Sequence, residues 1–320
     1  MPAISSSAPG KVILCGEHAV VYGQPAIALP VQQVRTKTTI LAQPIAPPGE
    51  VRLIAPVIGL NTTLDALDER HPLHTTITLV CEEIGIRSMP ACEIRIISNI
   101  PVAAGMGSSA SVTVSLSRAL TQFLGHPLQD DAINRIAFEV EKIHHGTPSG
   151  IDNSVITYEA PVYFRKGETM QKLKIRHGFS LVIADSGTPG STAKTVAAVR
   201  EKWQREPDKT ATLFGAIGEI VEQLHEILLS GELVHDAARL TQNHHLLQEL
   251  GVSTPKLDDL VNSALKAGAA GAKLSGGGGG GNIIAVTSAE KIDLVTEAVK
   301  SAGAVEVIVT HIPGENGGVQ

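Results

Sequence analysis

The most constraining feature of the sequence is a glycine-rich loop between a predicted strand and a predicted helix, at residues 99–110 (NIPVAAGMGSSA). Before the loop, Cys92, Ile94 and Ile96 alternate with charged residues, which is the period-two pattern of a half-buried strand. After the loop, apolar residues recur at near-helical spacing and share one face; they are Val112, Leu116, Leu120 and Phe123. The sequence therefore predicts a strand, a glycine-rich loop and a helix, in that order.

Gly105 and Gly107 lack the side chains that would keep a ligand away from the backbone of this loop. Unpaired N–H groups at the positive end of a helix attract an anion, and phosphate fits such a site. Ser108 and Ser109 add hydroxyls that can cap the helix, contact phosphate oxygens or complete the shell of a magnesium ion. A tight turn with a serine N-cap explains the same residues, so the loop alone leaves both interpretations open.

The length of the chain indicates two domains, because 320 residues exceed the size at which one hydrophobic core usually stops growing. Helical and strand-like patterns occur in both halves, which predicts an α+β architecture. We place the boundary near the basic turn between two strand-like runs, which gives domains of residues 1–170 and 171–320. Two domains of this size leave room for a cleft between them.

The composition argues against several classes of partner. A net charge of −6 disfavours nucleic acid and anionic membranes, since both require a basic surface. No stretch has the ~20 uninterrupted apolar residues of a membrane span, and the first nine residues lack a secretory signal. The three cysteines, Cys15, Cys81 and Cys92, are widely spaced, which predicts reduced thiols in a cytoplasmic protein.

Charged residues next to apolar sequence form a first set of candidates for chemistry. Lys11, Glu17 and His18 lie in or beside a predicted strand around residues 12–15, where charged groups need partners. They are either paired with one another, as in an ion pair on an edge strand, or turned towards a ligand. The sequence does not decide between these two arrangements.

Two carboxylates form a second set. Glu141 lies at the border of the apolar stripe of a predicted helix, a position that suits either a ligand of a divalent cation or an ordinary salt bridge. Asp152 follows a Gly-Thr-Pro-Ser-Gly turn and precedes a new apolar run. An acid at such a junction is a turn former, a helix cap or a base held at the wall of a cleft.

Six consecutive glycines, residues 276–281, lie between an alanine-rich helix and an apolar strand. A flexible linker is the usual interpretation of such a run, but a loop whose backbone passes close to something fits this position better. Two glycine-rich loops, a serine pair, a lysine and two carboxylates are the residues that phosphoryl transfer requires. The chain has no G-x-x-x-x-G-K-[ST] motif and is therefore not an ordinary P-loop enzyme.

Three stretches resemble, in the family's order, the signature motifs of the GHMP kinases: residues 8–23 (APGKVILCGEHAVVYG), 101–110 (PVAAGMGSSA) and 273–281 (KLSGGGGGG). Residues 16–23, together with 146–152 (GTPSGID), are similar to the mevalonate kinases within that superfamily. The resemblance covers nearly the whole chain. It implies a two-domain α+β fold, with an N-terminal ribosomal-S5-like ATP-binding domain, a C-terminal ferredoxin-like domain and the active site in the cleft between them.

The resemblance also implies an activity, namely the phosphorylation of the C5 hydroxyl of (R)-mevalonate by ATP with Mg²⁺. Asp152 would take the proton of that hydroxyl, and Lys11 would stabilise the developing alkoxide and keep Asp152 charged. Ser109 and Glu141 would ligate Mg²⁺. The implied partners are small molecules only, with neither nucleic acid nor membrane, and a homodimer is compatible with the resemblance.

Substrate and nucleotide contacts are implied in the same way. Glu17 and His18 would bind the hydroxyl and carboxylate end of mevalonate, with Thr192 as a weaker candidate. The residues expected at the ATP phosphates are Pro101, Ala104, Gly105, Met106, Gly107, Ser108, Ser109 and Ala110. The final glycine run would let the backbone close over the substrate and the phosphates.

The chain departs from the family pattern at two places. The last motif usually has an alanine among its glycines and often a cysteine after them, whereas this chain has an unbroken run followed by Asn282. Cys15 stands where a histidine is common. Neither residue is a presumed catalytic group, so the departures concern regulation and substrate fit rather than reaction class.

Three alternatives remain open from the sequence. Residues 105–110 also match the dinucleotide pattern G-x-G-x-x-[GA], but the acids ~20 residues later, Asp130 and Asp131, open a helix instead of ending a strand. A nearer alternative is another small-molecule GHMP kinase, such as a phosphomevalonate kinase or a galactokinase. The third is a non-catalytic relative that senses its ligand, against which the intact Lys11 and Asp152 argue.

Overall fold

Strands and helices alternate along the chain, as the mixed patterns of the sequence predict. The structure, a computed structural model, describes residues 3–101, 104–145, 148–190 and 192–315, without the side chains of residues 144, 145, 192 and 193. The strands are β1 (Ile4–Cys15), β2 (Pro25–Ala42), β3 (Val51–Ala55), β4 (Leu60–Thr63), β5 (Cys92–Ser98), β6 (Val162–Arg165), β7 (Gln171–Lys172), β8 (Phe179–Asp185), β9 (Gly271–Ser275), β10 (Asn282–Thr287) and β11 (Glu306–Ile312). The helices are α1 (Pro72–Ile84), α2 (Ser108–Phe123), α3 (Asp130–His145), α4 (Ile151–Tyr158), α5 (Thr192–Arg205), α6 (Pro207–Ser230), α7 (Leu233–Asp236), α8 (Ala238–Leu250), α9 (Pro255–Lys266) and α10 (Ile292–Ser301).

The chain divides into two compact units, each built from three segments. Unit 1 comprises Met1–Gly10, Val34–Ile100 and Gly107–Glu159, and unit 2 comprises Lys11–Gln33, Pro101–Met106 and Ala160–Gln320. Strands β1 and β2 each begin in one unit and end in the other. The domains predicted from the sequence, residues 1–170 and 171–320, are continuous segments. The boundary between them stays a prediction.

Unit 1 contains a sheet that packs against helices α1, α2 and α3. Its strands run in the order β4-β3-β5-β2, with β3 parallel to β5 and the other pairs antiparallel. The alternation predicted for β5 is confirmed, because Cys92, Ile94 and Ile96 are buried while Arg95 is exposed. The buried strand residues share a core with helix residues that include Ile77, Leu116, Leu120 and Ile136.

Unit 2 contains a four-stranded antiparallel sheet in the order β11-β8-β10-β9. One crossover, through helices α5 to α9, joins β8 to β9, and the other, α10, joins β10 to β11. This βαββαβ connectivity is the ferredoxin-like arrangement, which confirms the fold expected for the C-terminal half. The start of β2, Pro25 to Ala28, also belongs to this unit and pairs with β6, which in turn pairs with β7.

The segment between β2 and β5 contributes two short strands and one helix to unit 1. Leu60–Thr63 form β4, a short 3-10 turn follows, and α1 begins at Pro72. Strands β2 and β3 follow one another in sequence but do not pair, since β5 lies between them in the sheet. Their place in the sheet therefore depends on residues distant in sequence.

No helix in the described part of the chain combines the length and the apolar character that crossing a membrane requires.

Candidate active site

The first part of the site is the N-terminus of α2 in unit 1. Gly107 occupies the N-cap position with φ of 72°, a left-handed conformation that favours glycine, and no side chain caps the helix. The alternative interpretation of the serines, a serine N-cap, is therefore wrong, because Ser108 is already the first helical residue. A helix start without a side-chain cap keeps its first N–H groups available for an anion.

Ser109 and Glu141 meet within unit 1. Ser109 Oγ donates a hydrogen bond of 2.5 Å to Glu141 Oε1, which joins α2 to α3. Glu141 is only 2% exposed, so its carboxylate is held in place by helix packing. A hydroxyl and a carboxylate in contact offer the hard oxygen atoms that Mg²⁺ prefers.

Asp152 lies in the first turn of α4, a helix that packs against α2 and α3 in unit 1. The helix begins after Gly150, whose φ is 95°, and the half-buried Asp152 takes the second helical position. Asn153 donates a bond of 2.7 Å to Asn134 Oδ1, and Ser154 donates one of 2.7 Å to the Gly150 carbonyl. These contacts fix the backbone on either side of Asp152, and the positive helix end favours its negative charge.

In unit 2, backbone and amide contacts join segments of the three predicted motifs. Lys11 is buried on β1, and its N–H donates a bond of 3.0 Å to the Met106 carbonyl. Asn282 Nδ2 donates a bond of 2.7 Å to the Ala104 carbonyl. The glycine-rich segment 104–106 is thus tied to β1 on one side and to β10 on the other.

Glu17 and His18 are both buried and both contact the third motif within unit 2. Lys273 Nζ donates to Glu17 Oε1, which also accepts from the N–H of Gly276 at 3.4 Å. His18 Nε2 lies 2.9 Å from the Gly277 carbonyl, to which it donates. Burial lowers the pKa of His18 to about 4, so the ring is neutral at pH 7 with its proton on Nε2.

The glycine run of residues 276–281 connects β9 to β10 as an ordered loop. Gly276 and Gly278 to Gly281 have positive φ, and Gly277 alone among the six does not. A Cβ on Gly278 would lie 2.2 Å from the Val252 carbonyl oxygen, and one on Gly280 would lie 2.3 Å from the Thr188 carbonyl oxygen. The backbone therefore passes close to its neighbours, as expected from the sequence, and a flexible linker is excluded.

The same run borders a small cleft in unit 2. Its lining residues are Ala104, Gly105, Gly190, Ser275, Gly277, Gly278, Gly280 and Gly281. Nearly all of these residues present backbone rather than side chains. The cleft can therefore recognise a ligand mainly through N–H and C=O groups.

Some predicted residues remain outside these groups. Thr192 opens α5, but its side chain lies outside the described residues. Gly146 and Thr147 of the fourth predicted segment also lie outside them. Within the described residues, no group of three His, Cys, Asp or Glu side chains could hold a metal alone.

Two contacts of this site do not follow from the motifs. Lys273 starts the third motif, and a lysine within the apolar β9 signals a buried charge that needs a partner. Asn282 departs from the family pattern, and its amide holds the loop at Ala104. No local signal predicts that second contact.

Comparisons with known proteins agree with the motifs. The profile of the GHMP kinases N terminal domain matches residues 72–160, and that of the GHMP kinases C terminal domain matches residues 214–305. Mevalonate kinase from Pyrococcus horikoshii is 34% identical over 327 residues, which cover 95% of this chain and 94% of the relative. Mevalonate kinase from Mus musculus is 30% identical, with 81% of this chain and 80% of the relative covered.

The fold comparison points the same way. The crystal structure of L. major mevalonate kinase in complex with R-mevalonate superposes with a TM-score of 0.84, at 29% identity, and covers 97% of this chain and 96% of that one. These findings do not favour a phosphomevalonate kinase, a galactokinase or a dinucleotide-binding oxidoreductase. They show an enzyme of the kinase class, with two recognisable domains. The chain therefore belongs to the GHMP kinases and, within them, to the mevalonate kinase family.

Proposed function

We propose that this chain transfers the γ-phosphoryl group of ATP to the C5 hydroxyl of (R)-mevalonate, giving 5-phosphomevalonate and ADP. The observation that carries the proposal is the hydrogen bond between half-buried Ser109 and buried Glu141 at an uncapped helix start, in a chain of the mevalonate kinase family. Phosphoryl transfer depends on positioning and on charge stabilisation, and this pair and helix start are suited to both.

The nucleotide phosphates would bind at the N-terminus of α2 and along the preceding loop. The contributing residues we propose are Pro101, Ala104, Gly105, Met106, Gly107, Ser108, Ser109 and Ala110. Phosphate oxygens accept hydrogen bonds, so Ala104 and Met106 would contact them through their N–H groups, while their carbonyls accept from Asn282 Nδ2 and the Lys11 N–H. Open space beside Gly105 supports a close approach of the ligand to the backbone there.

Ser109 and Glu141 would hold Mg²⁺. Enzymes commonly bind this ion through one or two carboxylates together with substrate phosphates, and a buried carboxylate in contact with a hydroxyl fits that pattern. When bound, the ion neutralises charge that accumulates on the phosphate oxygens.

Asp152 would accept the proton of the C5 hydroxyl as the new oxygen–phosphorus bond forms, and the bond to the β-phosphate oxygen breaks. Its place in the first turn of α4, with the backbone fixed by Asn153 and Ser154, supports a well-oriented base. Lys11 would stabilise the negative charge that develops on the substrate oxygen.

His18 would contribute to the substrate site as a hydrogen-bond acceptor. Because its Nε2–H is used by the Gly277 carbonyl and the ring is neutral, the remaining nitrogen, Nδ1, can accept a hydrogen bond and carries no positive charge. This chemistry suits a hydroxyl of mevalonate better than its carboxylate. Thr192 remains a candidate for the carboxylate end, whereas Glu17 Oε1 is engaged by Lys273 Nζ and the Gly276 N–H.

The test is a coupled assay of ADP release with purified protein, ATP and Mg²⁺. Mevalonate, phosphomevalonate, galactose and homoserine are offered in parallel, and we expect turnover with mevalonate alone. Turnover with another acceptor would keep the kinase chemistry but contradict the proposed substrate. A second series without Mg²⁺, with chelator present, should abolish ADP release if Ser109 and Glu141 act as proposed.

A further inference from the structure

Lys273 is a fully buried lysine, with 0% of its surface exposed, in the middle of strand β9. Every residue of this strand is buried, so the ammonium group has no access to water. Transferring a charge from water to such an environment is costly unless a partner of opposite charge and hydrogen bonds compensate for it.

The partner is Glu17, which is itself only 2% exposed. Lys273 Nζ donates to Glu17 Oε1 and to the Leu274 carbonyl oxygen. Replacing such a buried pair by apolar residues is often neutral or even stabilising, so stability alone does not account for this pair. Its position relative to the glycine run suggests another reason.

Glu17 Oε1 is shared between Lys273 Nζ and the N–H of Gly276, the first glycine of the run. Gly276 has φ of 95°, so it is the residue at which the chain turns away from β9. The second oxygen, Oε2, is closed off from solvent and has no hydrogen-bond partner among the described residues. In this conformation the carboxylate therefore contacts the loop and offers no open face to a ligand.

Neighbouring hydrogen bonds also hold the start of the glycine run in place. Ser275 Oγ accepts from the Ile13 N–H at 3.1 Å and donates to the Ile13 carbonyl at 2.9 Å. Together with the bond between His18 and Gly277, these contacts attach the end of β9 and the start of the run to the first motif. Lys273 and Glu17 supply the only buried ion pair in this attachment within the described residues.

We propose that Lys273 is a positioning residue for phosphoryl transfer: its ammonium balances the Glu17 carboxylate in the interior, and the pair fixes the point where the glycine run leaves β9. The proposal rests on the proposed function, in which that run closes over the substrate and the phosphates. Glu17 then acts through the Gly276 N–H and not through contact with mevalonate.

Three variants separate this role from a purely structural one. K273M leaves Glu17 buried without its partner. K273M/E17Q removes both charges but keeps an acceptor for the Gly276 N–H, and K273M/E17M removes both charges and the acceptor. K256M is the matched control, because Lys256 is a lysine of unit 2 that donates to the Ala302 carbonyl, away from Glu17.

For each variant we would measure the melting temperature, the hydrogen exchange of the segment 273–282 and the kcat and KM for mevalonate and ATP. We expect K273M to lower the melting temperature and both double variants to restore it. K273M/E17Q should keep slow exchange and a higher kcat than K273M/E17M, which should exchange faster and lose about 10- to 100-fold in kcat. K256M should leave the exchange of this segment and kcat unchanged.

Two outcomes would overturn the proposal. If K273M/E17M matches the wild type in kcat and in exchange, the pair serves stability only. If both double variants fold and lose kcat equally while the exchange stays slow, the charged carboxylate itself contacts the reactants. Exchange and melting temperature require no turnover, so they test the positioning role even if the wild type does not phosphorylate mevalonate.

Discussion

The candidate residues of unit 1 and those of unit 2 are held in different ways. In unit 1, Ser109, Glu141 and Asp152 project from helices that pack against one another, and their side-chain atoms are the groups to which we assign the proposed chemistry. In unit 2, the cleft is lined mainly by backbone, and buried side chains such as Lys273 hold that backbone in place. The proposed chemistry of unit 1 thus depends on side chains, whereas unit 2 adds main-chain geometry to the proposed side-chain roles of Lys11 and His18.

This difference predicts different consequences of substitution. Removing a side-chain group in unit 1 should change the reaction while the fold persists, since the helices do not depend on that group. Adding a side chain in the glycine run of unit 2 should disturb the backbone itself, and with it both stability and substrate binding. The following experiments test this contrast, from the largest expected effect to the smallest.

Asp152→Asn gives the largest expected effect. Loss of a general base typically costs about 10²- to 10⁴-fold in rate, so kcat for mevalonate should fall in that range while ATP binding and the melting temperature stay unchanged. Steady-state kinetics and nucleotide-binding titration provide the measurement. Asp65→Asn, at an exposed position of the same unit, is the control, and a comparable kcat for both variants would remove Asp152 as the base.

Acid should destabilise unit 2 through two buried histidines. Burial lowers the pKa of His18 and of His244 to about 4, although Asp258 acts in the opposite direction on His244. The unfolded chain binds these protons near pH 6.5 and the folded chain only near pH 4, so stability is complete above pH 6.5 and is lost as the pH falls towards 4. The loss should be on the order of 3 kcal/mol for each histidine.

Urea unfolding at pH 7 and at pH 4.5 measures this loss. His244→Asn is the informative variant, because Asn Oδ1 can replace Nδ1 as the acceptor for the Leu274 N–H. The variant should lose less stability between the two pH values than the wild type does. Equal losses would show that His244 is protonated as easily in the folded protein as in the unfolded chain.

Gly278→Ala should affect unit 2 more than Gly277→Ala. At residue 278 the added Cβ would meet the Val252 carbonyl oxygen at 2.2 Å in a left-handed conformation, and we expect a loss of about 1–3 kcal/mol and a higher KM for mevalonate. Gly277 lacks positive φ, so its backbone conformation does not oppose an alanine. Thermal unfolding and kinetics of the two variants compare them directly; equal destabilisation would contradict the conformational argument.

Glu141→Gln should give the smallest effect of the series and the most specific one. The concentration of Mg²⁺ needed for half-maximal activity should rise by about tenfold, because the amide cannot supply the negative charge of the carboxylate. Glu139→Gln, on the exposed side of the same helix, should leave this requirement unchanged. A shift in the melting temperature without a shift in the Mg²⁺ requirement would assign Glu141 to packing.

The sequence predicted those parts of the fold that depend on local patterns. Three features have a local physical cause: the alternation in β5, the helical spacing after Ser109 and the glycines at residues 105 and 107. The strand, the loop and the helix could therefore be predicted from the sequence. The order of the strands in the sheet could not be predicted, because β3 pairs with β5 across an intervening helix and no local signal specifies that pairing.

For the candidate site, too, residue types could be predicted from the sequence and long-range contacts could not. The serine pair and Glu141 could be proposed because their residue types suit phosphate and magnesium. The bond between Lys273 and Glu17 joins residues 256 positions apart, and only tertiary structure brings them into contact. The sequence indicated that each charge needed a partner, but it could not indicate which one.

The three-segment construction of unit 2 has a consequence for dividing the chain. A break after residue 170 would leave the second fragment without Lys11–Gln33, which includes the start of β2 that pairs with β6 and the core residue Ala19. The first fragment would contain all three segments of unit 1, whereas unit 2 would be divided between the two fragments. Fragment complementation should therefore succeed only when both pieces are produced together and associate as they fold.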